Sequence, residues 1–337
     1  MKNKIDLRSD TVTRPSDDMK EAMLTAKVGD DVYGEDPAVN ELETLAAKMV
    51  GTQDSLFCTS GTQSNLLALM VHCERGDEYI VGQEAHTYKY EGGGAAVLAS
   101  IQPQPLDFEE DGTLDLEKVS HYIKPDDSHF ANSTLLCLEN TQAGKVLPLD
   151  YLKKAKNFVD NNHLSFHLDG ARVFNAAVKL KVDVKEITKY FDTISCCLSK
   201  GLGSPVGSVL CGSKEQIKKA RRWRKVLGGG MRQAGFLAGA GIYSLLNNVA
   251  RMAQDHKNAM LLAKGLAEIE DIHIDLKTVQ TNMVFADINA EMSILYEFLK
   301  QKGVIIGTDT PLRLVTHLDI SKEDIDYTVQ AFREYFS

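Results

Sequence analysis

Short apolar runs that alternate with helical patterns are the feature of this sequence that most limits its fold. The runs with the length and apolar content of a buried strand lie at residues 78–81, 96–99, 134–138, 164–168 and 193–198. Stretches with helical spacing lie between them, at 114–123, 149–161 and 184–190. Such an alternation predicts an α/β fold with a mostly parallel, doubly wound sheet. Further strands are expected at 55–59 and 206–211.

The pattern changes near residue 250. A long amphipathic helix without strong breakers is predicted at 251–269, and short strand-like runs then alternate with helical patterns to the end of the chain. A chain of 337 residues is also too long for one ordinary domain. We therefore predict an N-terminal arm and a large domain over residues 1–250, and a small α+β domain over 251–337.

The run at 193–198 delivers one lysine, Lys200, into a turn rich in glycine and proline at 201–207. A strongly hydrated ammonium is costly to place at the end of a buried strand. Its covalent use, as a Schiff base with a carbonyl cofactor, removes that cost. The alternative is a surface lysine just beyond the end of the strand.

Asp169 follows the apolar run 164–168, at the carboxyl end of another predicted parallel strand. Ligands of open α/β sheets lie at those carboxyl ends. Pyridoxal phosphate needs an anion beside its ring nitrogen, so that the ring withdraws electrons from the substrate carbon. A helix N-cap is the alternative role for this aspartate. Asp169 and Lys200 together favour a pyridoxal-phosphate site.

A small-residue turn at 60–62 (S-G-T) precedes the helix predicted at 63–73. The free N–H groups at the start of a helix, with the positive end of its dipole, suit a phosphate group. The same residues could equally form a plain helix cap.

Composition excludes several other classes of function. The net charge of −9 argues against a protein that binds the nucleic-acid backbone, and the basic run at 214–225 is interpreted as an exposed helix face. No apolar run approaches the about 18 residues of a membrane span. The six cysteines lack C-x-x-C spacing, so we expect reduced thiols, a cytoplasmic protein and no structural metal site.

Several long motifs together resemble the low-specificity L-threonine aldolases over nearly the whole chain. They are D-L-R-S-D-T-V-T-R-P (6–15), G-D-D-V-Y-G-E-D-P (29–37), S-G-T (60–62), H-L-D-G-A-R (167–172), C-L-S-K-G-L-G-S-P-V-G-S (197–208), W-R-K-V-L-G-G-G-M-R-Q (223–233) and R-L-V-T-H-L-D (313–319). The resemblance implies an aspartate-aminotransferase-like fold (fold type I of pyridoxal-phosphate enzymes). It also implies cleavage of L-threonine and L-allo-threonine to glycine and acetaldehyde.

The resemblance assigns cofactor-binding roles residue by residue. Lys200 would carry the cofactor covalently, and Asp169 would pair with its pyridine nitrogen. Arg172 would lie near the phenolic oxygen of the ring, and Gly61 and Thr62 would hold the phosphate.

The resemblance also implies the substrate side of the site. His86 corresponds to a histidine stacked on the cofactor ring and is our candidate for the catalytic base. Ser9 and Arg313 would bind the substrate carboxylate, with Arg172 nearby. Gln142 departs from the pattern, because related enzymes often read E-N-T-H where this chain reads E-N-T-Q. A glutamine cannot accept a proton near neutral pH, so the preference between threonine and allo-threonine stays open.

The family builds its active sites at a dimer interface, so the resemblance implies a homo-oligomer, a homotetramer built from dimers. Lys225 and Arg232 would reach the phosphate from a neighbouring subunit.

The sequence leaves other functions to be weighed. A β-eliminating lyase, an aminotransferase or a racemase would share the same lysine and aspartate. A nicotinamide-dependent oxidoreductase lacks its G-x-G-x-x-G fingerprint here. A non-catalytic member of the fold would not be expected to retain both Lys200 and Asp169.

Overall fold

A computed structural model describes residues 4–337 of the chain. The strands within this range are β1 (Ile5–Asp6), β2 (Asp54–Cys58), β3 (Glu78–Gly82), β4 (Gln102–Leu106), β5 (Ser133–Glu139), β6 (Ser165–Asp169), β7 (Thr193–Cys197), β8 (Ser208–Gly212), β9 (Ile272–His273), β10 (Met283–Ile288), β11 (Val304–Ile305) and β12 (Leu312–Val315). A seven-stranded sheet has the order β2-β8-β7-β6-β5-β3-β4. Its strands are parallel except β8, which is antiparallel to both of its neighbours. The predicted α/β fold is confirmed.

The α-helices of the described residues are α1 (Asp17–Leu24), α2 (Pro37–Val50), α3 (Gly61–His72), α4 (His86–Lys89), α5 (Gly94–Ala99), α6 (Leu116–Tyr122), α7 (Leu149–Asn161), α8 (Val173–Leu180), α9 (Lys185–Thr188), α10 (Lys214–Val226), α11 (Gly235–Asn247), α12 (Met252–Leu266), α13 (Met292–Gln301) and α14 (Lys322–Tyr335). Two short 3-10 helices lie at Asp10–Val12 and Asp31–Tyr33. An apolar cluster that includes Phe57, Phe166 and Leu168 packs against the large sheet.

One strand prediction is wrong. Residues 96–99 belong to helix α5 and not to a strand. The edge strand β4 lies a few residues later and contains Pro103 and Pro105. Proline cannot donate a hydrogen bond to a neighbouring strand, which confines it to edge positions. The two prolines therefore hide a strand that the apolar pattern alone does not show.

A second apolar cluster belongs to the C-terminal part of the chain. It joins α12, α13 and α14 to a three-stranded antiparallel sheet of order β12-β10-β9. Ile5 and Leu7 from the N-terminal arm lie in this same cluster, and β1 pairs in parallel with β11. The arm thus packs on the C-terminal part, whereas the division of the chain at residue 250 stays a prediction.

The carboxyl ends of β2, β5, β6 and β7 meet at one edge of the large sheet. Cys58 at the end of β2 and Cys197 at the end of β7 both pair with Ser208. Glu139 at the end of β5 pairs with Asp169 at the end of β6. The segments that follow these strands are therefore brought together in space, as the topology of open α/β sheets requires at a ligand site.

Candidate active site

Asp169 is a buried carboxylate at the carboxyl end of β6. Its Oδ1 accepts a hydrogen bond from the backbone N–H of Ala171 at 3.1 Å. Its Oδ2 accepts one from Nδ2 of Asn65 at 2.9 Å. Because Asn65 lies on α3, the helix that follows β2 holds this carboxylate in place.

A chain of neutral groups beneath the site orients Asn65. Burial lowers the pKa of His167 to about 3, so its imidazole is neutral. Its Nδ1 lies 2.8 Å from the hydroxyl of Thr193, and its Nε2 lies 3.2 Å from Oδ1 of Asn65. If Nε2–H donates to that oxygen, both N–H groups of Asn65 are free to donate to carboxylates. The amide of Asn65 therefore faces Asp169 and Glu91.

Glu91 and His86 form a carboxylate–imidazole pair beside Asp169. Oε1 of Glu91 lies 2.8 Å from Nδ1 of His86 and also accepts from Nδ2 of Asn65 at 2.8 Å. One ligand atom each from His86, Glu91 and Asp169 lies within 4.8 Å of the other two. The Glu91 side chain is 4% exposed and that of His86 is 39% exposed. The pair therefore joins a buried acid to an accessible ring.

The hydrogen bond that Nδ1 of His86 donates to Glu91 raises the pKa of His86 above its usual value, and burial opposes this effect. Burial raises the pKa of Glu91 itself. A carboxylate at Nδ1 favours the tautomer with the proton on that nitrogen, which leaves Nε2 as a proton acceptor. This arrangement is the one used by histidines that act as general bases.

Glu139 is a further acid in the site. Its Oε2 accepts the backbone N–H of His86 at 2.8 Å, which fixes the start of α4 against the end of β5. Burial, and next the negative charge of Asp169, raise the pKa of Glu139 to about 7. The carboxyl group therefore changes its charge in the neutral pH range.

Helix α3 begins immediately beyond β2. Ser60 caps it by accepting the N–H of Gln63 at 3.1 Å, and Gly61 is its first residue. A Cβ on Gly61 would lie 2.7 Å from Sγ of Cys197, closer than side chains allow. This position therefore admits only glycine without a shift of β7. The close approach of backbone to strand, with free N–H groups at a helix start, fits a phosphate group.

Lys200 follows β7, and its ammonium makes no hydrogen bond or ion pair with any residue in the range 4–337. Its charge nevertheless helps to lower the pKa values of Asp10, His86 and Glu139. Lys200 thus lies among the acids of the site with its Nζ uncommitted, and an amine without a partner is free to bind a carbonyl group.

Arg172 is committed to a partner that the sequence analysis did not name. Its Nε and Nη2 donate to the two carboxylate oxygens of Asp10, at 2.8 and 2.6 Å. Burial alone would raise the pKa of Asp10, but the charge and hydrogen bonds of Arg172 outweigh it and lower the pKa to about 2. The pair therefore stays ionised at neutral pH.

Similarity to known proteins decides the family. The Beta-eliminating lyase family matches residues 6–289. The low specificity L-threonine aldolase of Escherichia coli (strain K12) is 54% identical over 334 residues, which is 99% of each chain. The chain belongs to the low-specificity L-threonine aldolases. The low-specificity L-threonine aldolase 1 of Arabidopsis thaliana is 43% identical over 98% of this chain and 96% of its own.

Solved structures support the fold at much lower identity. The Leishmania major threonine aldolase structure superposes with a TM-score of 0.83 at 19% identity, covering 99% of this chain and 100% of that one. A member of this family with an aspartate-aminotransferase-like fold is expected to bind pyridoxal phosphate, and the residues at the strand ends fit that cofactor. They offer a free amine, a buried carboxylate and a helix start.

The substrate-side residues predicted for this aldolase lie around the N-terminal arm. Oγ of Ser9 accepts from the backbone N–H and the hydroxyl of Thr11, at 3.2 and 2.9 Å. Arg313 on β12 donates from Nη2 to the carbonyl oxygen of Arg8 at 3.3 Å. In the sequence, Ser9 therefore lies between Arg8, whose carbonyl oxygen binds Arg313, and Asp10, which pairs with Arg172. The structure brings these three predicted residues to one place.

Gln142 lies on a tight hairpin that joins the two parts of the aldolase. Its backbone pairs with that of Lys145, and the intervening Gly144 accepts the Thr281 hydroxyl at 2.7 Å. The Gln142 side chain packs against Gly112 and makes no hydrogen bond within residues 4–337. Its contribution to substrate preference stays a prediction.

Lys225 and Arg232 do not join the other cofactor residues through any contact in the described chain. Arg232 pairs with Asp30 at 3.0 Å and is 53% exposed. Lys225 is exposed at the end of α10 and lies beside Gly230. The neighbouring Gly229 closely approaches Gln63 in the first turn of α3. That Lys225 and Arg232 contact the cofactor phosphate of a neighbouring subunit stays a prediction.

Sequence reasoning missed Asn65, Glu91, Glu139 and Asp10. Asn65 lies 104 positions from the aspartate that it holds, and Glu139 lies 53 positions from His86. Asp10 stands inside the motif at 6–15, beside the predicted Ser9, which was the one available signal.

In the described part of the chain, no helix combines the length and apolar character needed to cross a membrane.

Proposed function

We propose that this protein cleaves L-threonine and L-allo-threonine to glycine and acetaldehyde, with pyridoxal phosphate as cofactor. The observation that carries the proposal is the meeting of Lys200, Asp169 and the His86–Glu91 pair at adjoining strand ends. The relatives named as low-specificity L-threonine aldolases, at up to 54% identity, support the same activity.

When bound, pyridoxal phosphate supplies an electron sink for the bond that breaks at Cα. Lys200 would hold it covalently, Asp169 would keep its ring nitrogen protonated, and the start of α3 at Gly61 and Thr62 would hold its phosphate. Asn65, whose Nδ2 donates to Oδ2 of Asp169 at 2.9 Å, would hold that carboxylate in place for the ring nitrogen.

The substrate carboxylate would be held by Ser9, Arg313 and Arg172. Fixing the carboxylate and the amine of an amino acid determines which bond at Cα stands perpendicular to the ring, and that bond is the one that breaks. These residues therefore select the Cα–Cβ bond over the Cα–H bond.

His86 would accept the proton of the substrate β-hydroxyl at Nε2, since Glu91 occupies Nδ1. Gln142 can donate or accept a hydrogen bond at the hydroxyl side but cannot take the proton.

A β-eliminating lyase is the second candidate, because the matching family carries that description. An aminotransferase would use the same Lys200 and Asp169. Both reactions break a bond other than Cα–Cβ, so the products distinguish them.

The proposed assembly is a homotetramer built from dimers. Exposed large apolar side chains support it, since contiguous apolar surface marks interfaces; they include Tyr33, Tyr90, Val97, Val226 and Phe236. Lys225 and Arg232 would then approach the phosphate of a neighbouring subunit. A place in the cytoplasm is supported by the six unpaired, buried thiols.

The experiment is product analysis from separate incubations with L-threonine, L-allo-threonine and L-serine. Acetaldehyde and glycine in equal amounts from both threonine isomers are expected. 2-Oxobutyrate from threonine, or pyruvate from serine, without aldehyde would establish the eliminating lyase instead. A mass adduct on Lys200 after borohydride treatment reports cofactor attachment independently of the reaction.

A further inference from the structure

Asp10 is a buried carboxylate on the N-terminal arm, and its role builds on the proposed function. We infer that Asp10 is a positioning residue, which turns one edge of Arg172 toward the substrate carboxylate and couples that edge to the docking of the arm.

Asp10 binds one edge of the Arg172 guanidinium and leaves its other edge free. Nε and one Nη2 hydrogen are taken by Asp10 in a bidentate pair. A guanidinium has five N–H groups in a rigid fork, so both hydrogens on Nη1 and one on Nη2 remain. The Arg172 side chain is 13% exposed, whereas that of Asp10 is completely buried. Only the edge directed away from Asp10 is therefore open to a ligand.

Asp10 is itself held from a second side. Nδ2 of Asn282 donates to its Oδ2 at 3.2 Å and to the carbonyl oxygen of Thr316 at 3.0 Å. These residues flank β10 and β12, and Arg313 lies on β12. The carboxylate thus connects the segment after β6 with the strands that carry the other cation of the carboxylate site.

The same turn sets a third substrate group. Ser9 caps the 3-10 helix Asp10–Val12, and Thr13 closes it by donating its hydroxyl to the carbonyl oxygen of Asp10 at 2.6 Å. Because Ser9 and Asp10 are consecutive, a shift of this turn displaces the serine and the arginine together. Binding of the amino acid then depends on Asp10 although Asp10 does not contact it.

Asp10→Asn tests this inference, since an amide keeps the shape and removes the charge. The KM for L-threonine and the Kd for glycine, measured by calorimetry, are expected to rise roughly 10- to 100-fold, the effect of losing charge-assisted hydrogen bonds at a binding group. The Kd for pyridoxal phosphate should rise severalfold less than the Kd for glycine, because the phosphate seat at α3 and the ring-nitrogen partner Asp169 do not depend on Asp10. Asp10→Glu should recover part of the loss by restoring the charge.

A double-mutant cycle separates positioning from general damage. In an Arg172→Gln background, Asp10→Asn should add less than about a threefold change in either constant, because Arg172 is gone and only the coupling through the Ser9 turn remains. Glu43→Gln is the matched control. It breaks another largely buried carboxylate–arginine pair, with Arg221, that joins α2 to α10. It should shift the melting temperature and leave the Kd for glycine unchanged.

Equal effects of Asp10→Asn in both backgrounds would overturn the inference, as would a parallel rise in the Kd for pyridoxal phosphate. If Asp10→Asn does not fold, Asn282→Ala decides, because it removes one donor to Asp10 and leaves the ion pair intact. It should raise the Kd for glycine severalfold, and an unchanged value would count against positioning. If the Kd for glycine depends on Asp10 as expected but the wild-type enzyme releases no acetaldehyde from L-threonine, the proposed function alone is contradicted.

Discussion

Substitution of Glu91 by glutamine is the sharpest test of the proposed base. The hydrogen bond between Oε1 of Glu91 and Nδ1 of His86 is 2.8 Å long, and it is the largest cause of the raised pKa of His86. Glutamine can still accept a hydrogen bond there but lacks the charge. A charged hydrogen bond is worth about 1.5–3 kcal/mol. Because the His86 ring is 39% exposed, water screens part of this, and the lower end applies.

A loss of about 1.5 kcal/mol in transition-state stabilisation corresponds to a fall of roughly tenfold in kcat/KM. The sign of the pH effect follows from the role of His86 as a base, which works when neutral. Without the charge of Glu91 the pKa of His86 falls, so the acidic limb of the kcat/KM profile moves to lower pH while its plateau falls. The assay is acetaldehyde release from L-threonine between about pH 5.5 and 9.

Glu139 lies close by and also titrates near neutral pH, so Glu139→Gln serves as the companion variant. It leaves the Nδ1 contact of His86 intact. If Glu91→Gln changed neither the acidic limb nor the plateau, while Glu139→Gln abolished the limb, His86 would not be the base. A large rise in KM with unchanged kcat would likewise contradict the reasoning.

Three further predictions follow from the site. Lys200→Ala should abolish turnover and borohydride labelling, and near-normal cleavage by this variant would refute covalent attachment. Gly61→Ala places a Cβ 2.7 Å from Sγ of Cys197, so its cofactor Kd should rise at least tenfold; calorimetric titration with pyridoxal phosphate checks this. Folding raises the pKa of Glu139 from its usual value of 4.5 to about 7, so the folded state binds this proton more tightly than the unfolded state does. The free energy of unfolding therefore falls as the pH rises from about 4.5 to 7. Cofactor-free Glu139→Gln should therefore be more stable than wild type by about 3 kcal/mol at pH 8 and equal to it near pH 4.5, and denaturant unfolding with the same difference at both values would contradict this.

The buried parallel strands could be predicted from the sequence almost to the residue. The runs expected at 164–168 and 193–198 are β6 (Ser165–Asp169) and β7 (Thr193–Cys197). Strands covered on both faces are continuously apolar, which makes them easy to recognise. The run at 96–99 has the same character but is a helix, because a short apolar run does not by itself distinguish the two.

The candidate site was predictable only where a residue follows a strand. Lys200 and Asp169 could be found because the carboxyl ends of parallel strands converge. Asn65, Glu91 and Glu139 could not, since their roles depend on side-chain contacts that the pattern of strands and helices does not show. Arg172 was predicted from the resemblance, but its pairing with Asp10 depends on how the arm folds back over 162 positions.

The charges of the site explain why the missed residues matter. Asp169 and Glu139 lie at neighbouring strand ends with Glu91 beside Asp169, and the charge of Asp169 is a cause of the raised pKa of both glutamates. In the protein alone this repulsion is a cost of folding, since like charges at short range disfavour ionisation. A protonated pyridine ring beside Asp169 would neutralise one of the charges and relieve the other two. The acids that destabilise the protein without its cofactor are thus the ones that favour a cationic ring. Cofactor binding should therefore strengthen the hydrogen bond between Glu91 and His86.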